Sequence, residues 1–508
     1  MSLMGVDVGT TGVKAAVFDE SGGLITTAYE EYPLLFPFPG ASELDSQKVV
    51  ESALRVIGEA AGRVRNSDPI KAIGIASQGE AFTPISSDGR VIGNAMTSSD
   101  GRAEPYVRSC EQDWAKRLYQ ITGHTPYPIY SMLKLMWLKE HQPESWESTW
   151  KFLFFQDLIA FVLTGETKTD YSMAARSMLF DVKKLEWSSE ILDWMGLAKD
   201  RLPDVIPSGD IIGQVKPKLA ADLGLGSNVG VTVCGHDQPV GALGCGAANP
   251  GCASYSIGTV ECICPSADRL ILGRELMQAN LASYPHVLPD TYTTVAFNIT
   301  GGSVLKWIRD SFATEEATEA QKQGKDPYDL IISAASSDPA NVILLPHFGP
   351  TGTPHFDSEG AGVLFGLTLS TSRAEILRSV LEGITYEMKW NLSILADAGF
   401  RLTDLRAVGG GAKSETWMQI KADILGIPLT TMRVTEATCM GAAILAGSGL
   451  RILDAKNSSA EWAVPIRTFE PKKENALLYE EYFTVYKEIY NSLRGARRLL
   501  HELKGKRI

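Results

Sequence analysis

A short pattern that occurs twice, about half of the chain apart, is the strongest constraint on how this sequence folds. Asp7-Val8-Gly9-Thr10-Thr11 and Ser256-Ile257-Gly258-Thr259-Val260 each place an apolar strand, a Gly-Thr turn and a second strand in succession. A repeat of this period predicts two related α/β domains that face each other across a cleft. The segment Ala248-Asn249-Pro250-Gly251 precedes the second copy and is typical of a linker. We therefore expect domains at residues 1–246 and 247–508.

The composition is that of a soluble α/β enzyme. The 508 residues are 44% hydrophobic and include 47 glycines, which argues against the disordered and fibrous classes. A formal net charge of −12 argues against a nucleic-acid or anionic-membrane surface, because both attract clustered Lys and Arg. No run reaches the roughly 18 to 20 apolar residues of a membrane span, and the first strand, from Met4, leaves no room for a signal peptide. We expect a cytoplasmic protein without nucleic-acid or membrane partners, and we leave a homodimer open.

Strand patterns alternate with helical patterns through most of the chain, which predicts βαβ units and a mainly parallel sheet. The first 19 residues are the exception, because Gly9 to Gly12 separates two strand-like runs and predicts a hairpin. At the other end, residues 474–503 have the periodicity of one long amphipathic helix.

The first Gly-Thr turn has the residue types that bind a polyphosphate. Around Gly9, Thr10 and Thr11, glycines let backbone N–H groups approach phosphate oxygens and the threonine hydroxyls add donors. Lys14 brings a positive charge, and Asp7 is suited to hold Mg²⁺ through water. An ordinary tight hairpin is the alternative. The motif is not a Walker A loop, because no helix opens after it and the Gly-Lys-Ser/Thr order is absent.

Gly235-His236-Asp237-Gln238 follows an apolar strand at 229–234 and precedes a helix. The carboxyl end of a buried strand is where α/β enzymes build their sites. Phosphoryl transfer to an alcohol needs a group that accepts the hydroxyl proton, and the Asp237 carboxylate is suited to that task. The alternative is that Asp237 only caps the helix. We expect His236 to orient or pack and not to bind a metal.

Three other loops carry polar or glycine-rich sequences between regular elements. Gly409, Gly410 and Gly411, followed by Ser414, lie between a strand and a helix, where close contact with adenine or a phosphate is favoured. The loops Gln78-Gly79-Glu80 and Ser98 to Arg102, which includes Asp100, supply donors and acceptors for a polyhydroxylated ligand. Unliganded glycine turns and ordinary surface loops have the same composition, so these motifs gain weight only together.

At these residues the chain resembles the FGGY family of carbohydrate kinases, which shares its fold with actin, hexokinase and the heat-shock chaperone ATPases. The resemblance runs from about Met4 to Leu450 and rests on eight segments in the expected order. These are DVGTTGVK at the start, SSDGRA at 98–103, WLKEHQPESWESTWKFLFFQDLIAFVLTG at 137–165, GHDQPVGALGCG at 235–246, SIGT at 256–259, GAGVLFGLTLSTSRAEILRSVLEGI at 360–384, GGGAKSETWMQIKADILGIPL at 409–429 and EATCMGAAILAGSG at 436–449.

The resemblance implies an α/β protein with two actin/hexokinase-like (ribonuclease H-like) domains that close over a central cleft, and it implies ATP and Mg²⁺. Carried onto the matching positions, it makes Asp237 the catalytic base and Gln238 a substrate contact. The phosphate and nucleotide contacts that it implies are Thr10, Thr11, Lys14, Gly258, Thr259, Gly302, Gly410, Gly411 and Ser414.

The positions that distinguish substrates within this family are mixed. Glycerol kinases carry Arg-Glu where this chain has Gly79-Glu80, and a Tyr where it has Ile129, so a cation and a phenol expected for glycerol are missing. Xylulose kinases usually carry Met-His at 79 and 80, yet the segment 132–184 resembles theirs. Glu80 accepts hydrogen bonds and therefore suits a free hydroxyl better than a carboxylate. We expect a kinase of a ketopentose such as xylulose, with glycerol, another polyol or a sugar acid as alternatives.

A different class of protein also stays open. An actin-like or chaperone-like ATPase would use the same fold but would hydrolyse ATP without a sugar acceptor. A sugar-sensing pseudokinase is a third option, against which the intact Asp237 argues.

Overall fold

The computed structural model describes residues 1–65, 68–110 and 113–505. In the first half of the chain the strands are β1 (Ser2–Val8), β2 (Gly12–Phe18), β3 (Leu24–Glu31), β4 (Glu43–Leu44), β5 (Ile70–Ser77), β6 (Phe82–Ile85), β7 (Ala95–Met96), β8 (Lys151–Phe154), β9 (Lys168–Asp170), β10 (Phe180–Asp181), β11 (Glu186–Trp187), β12 (Asp204–Ile206), β13 (Ile211–Gln214) and β14 (Gly230–His236). The helices are α1 (Ser46–Val64), α2 (Glu104–Val107), α3 (Asp113–Thr122), α4 (Ser131–His141), α5 (Pro143–Ser148), α6 (Phe155–Thr164), α7 (Tyr171–Ala175), α8 (Ser189–Met195), α9 (Pro217–Asp222) and α10 (Asp237–Gly244).

The second half starts again with strands. They are β15 (Cys252–Ile257), β16 (Glu261–Ala267), β17 (Tyr284–Pro285), β18 (Tyr292–Thr293), β19 (Ala296–Asn298), β20 (Ile343–Leu345), β21 (Val363–Phe365), β22 (Asp404–Val408), β23 (Leu429–Met432) and β24 (Pro465–Phe469). The helices are α11 (Arg274–Gln278), α12 (Gly301–Ser311), α13 (Thr314–Gln323), α14 (Pro327–Ser333), α15 (Arg373–Asp397), α16 (Glu415–Leu425), α17 (Ala437–Gly449), α18 (Ala455–Trp462), α19 (Lys473–Ser492) and α20 (Arg494–Gly505).

The main sheet of the first half has the order β13-β14-β5-β1-β2-β3. β5 is parallel to both β1 and β14, whereas β1–β2, β2–β3 and β13–β14 are antiparallel. The prediction of a hairpin at the start is confirmed, and the prediction of a mainly parallel sheet is wrong. Short turns after β1 and β2 force antiparallel neighbours, and only strands separated by helices pair in parallel.

The second sheet repeats this arrangement, which confirms the predicted duplication. Its order is β17-β18-β16-β15-β22-β23-β24, with β19 also paired to β16. Going from β16 through β15, β22 and β23 to β24, the pairings are antiparallel, parallel, parallel and antiparallel. The same series runs from β2 through β1, β5 and β14 to β13.

Each sheet is covered by helices whose apolar residues recur at helical spacing. Helix α1 begins after Asp45, whose side chain accepts a hydrogen bond from the Lys48 amide at 3.0 Å and so satisfies a free donor of the first turn. Its buried Val, Ile and Ala residues pack on β2 and β3. Helix α17 belongs to the second half but packs against β1, β5 and α10 of the first, and this packing joins the two halves beside the carboxyl ends of the first sheet's parallel strands.

The tail is two helices and not the single one predicted. Helices α19 and α20 meet at Leu493. Arg497 donates to the Tyr490 carbonyl at 3.0 Å and lies 3.4 Å from Asp357, so the chain turns to bury this guanidinium. Within the described residues, none of the helices combines the length and the apolar character that crossing a membrane requires.

Candidate functional site

Three sequence-predicted segments meet at one edge of the first sheet because of strand register. Val8 of β1 pairs with Ser77 of β5, and Ser77 pairs with His236 of β14. The residues that follow these strands are Gly9, Gln78 and Asp237, so the turn, the polar loop and the candidate base emerge side by side. The second half does the same on its own sheet, where Ser256 pairs with Val408 and brings the turn at 258–259 beside the one at 409–411.

Asp237 is the first residue of α10, directly beyond the carboxyl end of β14. The position before it belongs to His236 and the helix lacks a side-chain cap, so the capping interpretation of Asp237 does not hold. The Asp237 side chain is 23% exposed. Burial, followed by the charges of Asp7 and Glu80, raises the pKa of Asp237 to about 8. Such a carboxylate is a stronger base than a surface aspartate, which suits it to accept a proton from an alcohol.

A buried hydrogen-bond network fixes the loop that carries Asp237. The Gly235 amide donates to Gln156 Oε1 at 2.7 Å, and Gln156 Nε2 donates to Asp170 Oδ1 at 2.9 Å. Ser172 Oγ donates to Asp170 Oδ2 at 2.6 Å and accepts from the His236 amide at 3.0 Å. Gly235 has a φ of +123°, and a Cβ there would lie 2.3 Å from Ser172 Oγ. Only glycine fits this turn, so the network and the turn together aim the Asp237 backbone.

The Gly9 turn is held in shape from two sides. Its Gly9 amide donates to the Gly12 carbonyl at 3.0 Å, and Tyr32 donates to the Gly9 carbonyl at 2.6 Å. Thr10 Oγ1 donates to Gln78 Oε1 at 2.9 Å, and Gln78 Nε2 donates to the Gly9 carbonyl at 3.2 Å. The Gln78 amide, predicted to contact sugar, thus couples the candidate phosphate turn to the loop after β5. Thr11 is exposed at the tip of the turn.

The Asp7 carboxylate has the properties expected of a group that binds a cation. Its Oδ1 is buried and has no hydrogen-bond partner among the described residues. Desolvation raises the pKa of Asp7 to about 6, with Lys14 acting in the opposite direction. Lys14 faces Asp7 across the hairpin, but its Nζ is bound to Glu436 Oε2 at 2.6 Å. In the described part of the chain no group of three or more His, Cys, Asp and Glu side chains could hold a metal by itself.

The second Gly-Thr turn supports the start of a helix. Between β15 and β16, the Gly258 carbonyl accepts from the Gly302 amide at 3.0 Å, and the Thr259 carbonyl accepts from the Ser303 amide at 3.3 Å. A Cβ on Gly302 would lie 2.5 Å from the Gly258 oxygen, so only glycine allows this approach. The N-terminus of α12 therefore lies against the turn, and helix N-termini favour anions.

The glycine run after β22 borders a cavity of about 390 Å³, whose wall includes Gly409, Gly410 and Lys413. Gly410 faces open space, which leaves its backbone accessible to a flat ligand. The Ser414 hydroxyl accepts from the Trp417 amide at 3.3 Å and caps α16. Of the residues predicted to contact the adenosine, Gly410 therefore has an accessible backbone. The Ser414 hydroxyl is used as the N-cap of α16.

Glu80 is paired with a residue that the sequence analysis missed. Arg176 forms a buried ion pair with Glu80 Oε1, and Ser98 Oγ donates to Glu80 Oε2 at 2.8 Å. The guanidinium lies 5.2 Å from the Tyr130 ring and 5.6 Å from the Tyr284 ring. The cation that the sequence lacks at Gly79 is therefore supplied by Arg176, which is 96 residues beyond Glu80. The signal available was a charged residue inside the apolar run SMAARSMLF.

Asp100 is enclosed by hydrogen bonds from its own loop and from Ser42. Its side chain is fully buried, and its oxygens accept from the Ser42 amide at 2.7 Å and from Arg102 N and Nε at 3.0 Å and 2.9 Å. A carboxylate enclosed in this way holds the 98–102 loop together, and its contact with a sugar stays a prediction. Gln238, in contrast, follows Asp237 in the first turn of α10 and is half-buried.

A two-domain fold with duplicated sheets, each presenting Gly-Thr turns at the edge where its parallel strands end, is the actin-like and hexokinase-like class of phosphotransferase fold. The chain belongs to the FGGY family of carbohydrate kinases, whose N-terminal domain model matches residues 2–244 and whose C-terminal domain model matches residues 253–450. It is therefore a phosphotransferase that acts on a sugar hydroxyl, and the family implies ATP as the donor. Membership decides against the actin-like and chaperone-like alternative.

The chain resembles individual members over nearly its whole length. A xylulose kinase of Staphylococcus epidermidis is 30% identical over 96% of both chains. A glycerol kinase of Streptococcus pyogenes is 30% identical over 88% of this chain and 87% of its own. The crystal structure of a ligand-bound xylulose kinase from Lactobacillus acidophilus superposes with a TM-score of 0.91 at 26% identity, covering 98% of this chain and 99% of the other.

Proposed function

We propose that this chain transfers the γ-phosphoryl group of ATP to a hydroxyl of a ketopentose such as xylulose, with Asp237 as the general base. The observation that carries the proposal is the strand register: Gly9, Gln78 and Asp237 follow three adjacent strand ends. The polar loop lies between the base and the phosphate turn, so a sugar bound at that loop can present one hydroxyl both to Asp237 and to a terminal phosphate. The likeness to xylulose kinases over 96% of the chain supports the choice of sugar.

In the proposed reaction, the turns at Gly9–Thr11 and Gly258–Thr259 hold the phosphates from opposite halves, and the 409–411 turn contacts the nucleoside. Asp237 accepts the proton of the attacking hydroxyl, and closure of the halves keeps water away from it. Asp7 would hold Mg²⁺ through water, and such an ion neutralises charge on the phosphate oxygens. Glu80 and Gln238 orient the sugar. Lys14 joins the phosphate contacts if it leaves Glu436.

Glycerol or another polyol is the second candidate acceptor. Arg176 beside Glu80 restores the arginine–glutamate pair that the sequence lacked at positions 79 and 80, and a glycerol kinase is among the relatives. A sugar acid is a poorer candidate, because it would need an unpaired cation and the Arg176 charge is already balanced by Glu80.

The test is ADP release from ATP with a panel of ketoses, polyols and sugar acids, for the wild type and for Asp237→Asn. We expect turnover with a ketopentose and a loss of kcat of about 1,000-fold or more in Asp237→Asn with ATP binding retained. Asp193→Asn, an exposed position on α8, is the matched control and should behave as the wild type. Near-normal turnover in Asp237→Asn would remove the base assignment, and a preference for glycerol would establish the second candidate.

The domain boundary between 246 and 247, a homodimer and a cytoplasmic location remain predictions from the sequence. Limited proteolysis, light scattering and fractionation of the source cells would test them.

A further inference from the structure

His236 lies between Asp237 and a tyrosine of the other half of the chain. Its Nε2 is 3.2 Å from Asp237 Oδ1, and its Nδ1 is 3.1 Å from the Tyr284 hydroxyl. The imidazole is 6% exposed and Tyr284 is fully buried. Both nitrogens of the buried His236 ring therefore have a polar neighbour. Each of these two contacts needs one donor and one acceptor.

Only one protonation state of His236 satisfies both contacts when Asp237 is ionised. A proton on Nδ1 alone would leave the Nε2 lone pair facing a carboxylate oxygen, which is repulsive. A doubly protonated ring is disfavoured, because burial and then the charge of Arg176 hold the pKa of His236 well below its ordinary value. In the remaining state Nε2–H faces Asp237 Oδ1 at 3.2 Å, and Nδ1 accepts from the Tyr284 O–H.

The Tyr284 side chain is held in place by its own sheet and by two neighbouring side chains. It lies in β17, where it pairs with Thr293 of β18 in the sheet of the second half. The Arg176 guanidinium is over its ring, and the His124 ring lies 5.4 Å away. Its hydroxyl thus reaches His236 from the second sheet, and the contact spans the two halves of the chain.

We propose that Tyr284 is a positioning residue for phosphoryl transfer: its hydroxyl holds the His236 ring at Nδ1, so that Nε2–H faces Asp237 Oδ1 and Oδ2 stays turned to the sugar hydroxyl. The proposal rests on the proposed function of Asp237. It also makes the orientation of the base depend on a residue of the second half, so that the base is aligned only when the halves are in contact.

The decisive variant is Tyr284→Phe, which removes one oxygen and keeps the ring packed against Arg176 and His124. We expect kcat to fall about tenfold, the equivalent of one hydrogen bond lost at the transition state, while the KM values for sugar and ATP stay within about twofold. Tyr479→Phe is the matched control, because it removes another buried tyrosine hydroxyl of the second half, bonded to Glu382 at 2.7 Å, and should leave kcat unchanged. Ring ¹⁵N chemical shifts recorded at pH 9, above the pKa of about 8 of Asp237, should show Nε2–H at His236 in the wild type and in Tyr479→Phe, and an Nδ1 shift moved by the loss of its hydrogen bond in Tyr284→Phe.

His236→Gln provides a second route to the same answer. A glutamine amide can donate to Asp237 without help from a tyrosine, so Tyr284→Phe should have no further effect on kcat in the His236→Gln background. Wild-type kcat in Tyr284→Phe, an unchanged His236 Nδ1 shift in that variant, or equal effects of Tyr284→Phe in both backgrounds would each overturn the proposal. These outcomes are distinct from failure of the base assignment, which only retained turnover in Asp237→Asn would reveal, and the tautomer is observed without turnover.

Discussion

Replacing Asp237 by Asn should make the unliganded protein more stable, and increasingly so as the pH rises. The pKa of Asp237 is about 8 in the folded protein against an ordinary value of 3.8. Between these pH values the unfolded chain releases a proton that the folded protein keeps, so the free energy of unfolding decreases with pH by at most about 1.4 kcal/mol per pH unit. The stability associated with this group is complete below about pH 4 and is lost towards pH 8. Because Asn cannot ionise, the Asp237→Asn variant does not undergo this decrease in the free energy of unfolding.

At pH 7 the upper value of the gain is about 4 kcal/mol. Since the side chain is 23% exposed and solvent screens part of the effect, we expect about 2 kcal/mol. Urea unfolding followed by far-ultraviolet circular dichroism at pH 5, 6, 7 and 8 measures the difference between variant and wild type. Asp193→Asn should show no such trend. If the advantage of Asp237→Asn is absent, or does not grow between pH 5 and pH 8, the desolvated environment assigned to Asp237 is wrong.

Five further substitutions test the surroundings of the site. Gly235→Ala should lower kcat more than tenfold because its Cβ would lie 2.3 Å from Ser172 Oγ, whereas Gly226→Ala, with nothing within 4 Å, should be neutral in the same kinetic assay. Arg176→Met and Glu80→Gln should each lower the free energy of unfolding by about 3 to 5 kcal/mol, and the double variant by clearly less than their sum; additive losses in urea unfolding would contradict the buried pair. Asp100→Asn should reduce stability by about 2 to 3 kcal/mol without changing the KM for sugar, and a raised KM at unchanged stability would restore the sugar contact predicted from sequence. Asp7→Asn should abolish the extra thermal stabilisation that Mg²⁺ with ADP gives over ADP alone, and a retained difference would remove Asp7 from the cation site.

The duplicated fold was accessible from the sequence because its signals are local. A Gly-Thr pair between two apolar strands can be recognised twice without knowledge of tertiary contacts, and register then brings Gly9, Gln78 and Asp237 together. Strand direction was not accessible in the same way. The alternation of strands and helices suggested a mainly parallel sheet, whereas the short connections after β1 and β2 make the pairs β1–β2 and β2–β3 antiparallel.

The partners of the site residues were the part that sequence could not provide. Gln78, Glu80 and Asp100 looked equivalent as polar loop residues, yet their environments differ. Gln78 binds the Gly9 turn, Glu80 meets Arg176, and Asp100 is enclosed by Arg102 and the Ser42 amide. Such contacts join residues up to 96 positions apart, and pairing at that distance depends on how the helices pack on the sheet.

The negative charges of Glu80, Asp237 and Asp7 are balanced by the protein to different degrees. We infer their different roles from this difference. Glu80 has a full guanidinium partner and a serine hydroxyl, so its charge is settled before any ligand arrives. Asp237 has the neutral imidazole of His236 and the neutral groups of Gln238 beside it. Among the described residues, Asp7 has a buried oxygen without a hydrogen-bond partner, while Lys14 is engaged by Glu436. Burial raises the pKa of both aspartates, because neither desolvated charge is balanced by the protein alone. The charge of Asp7 can therefore be balanced by a cation, and that of Asp237 by the proton of the attacking hydroxyl. Transfer of a phosphoryl group to an alcohol brings both of these positive charges to the site.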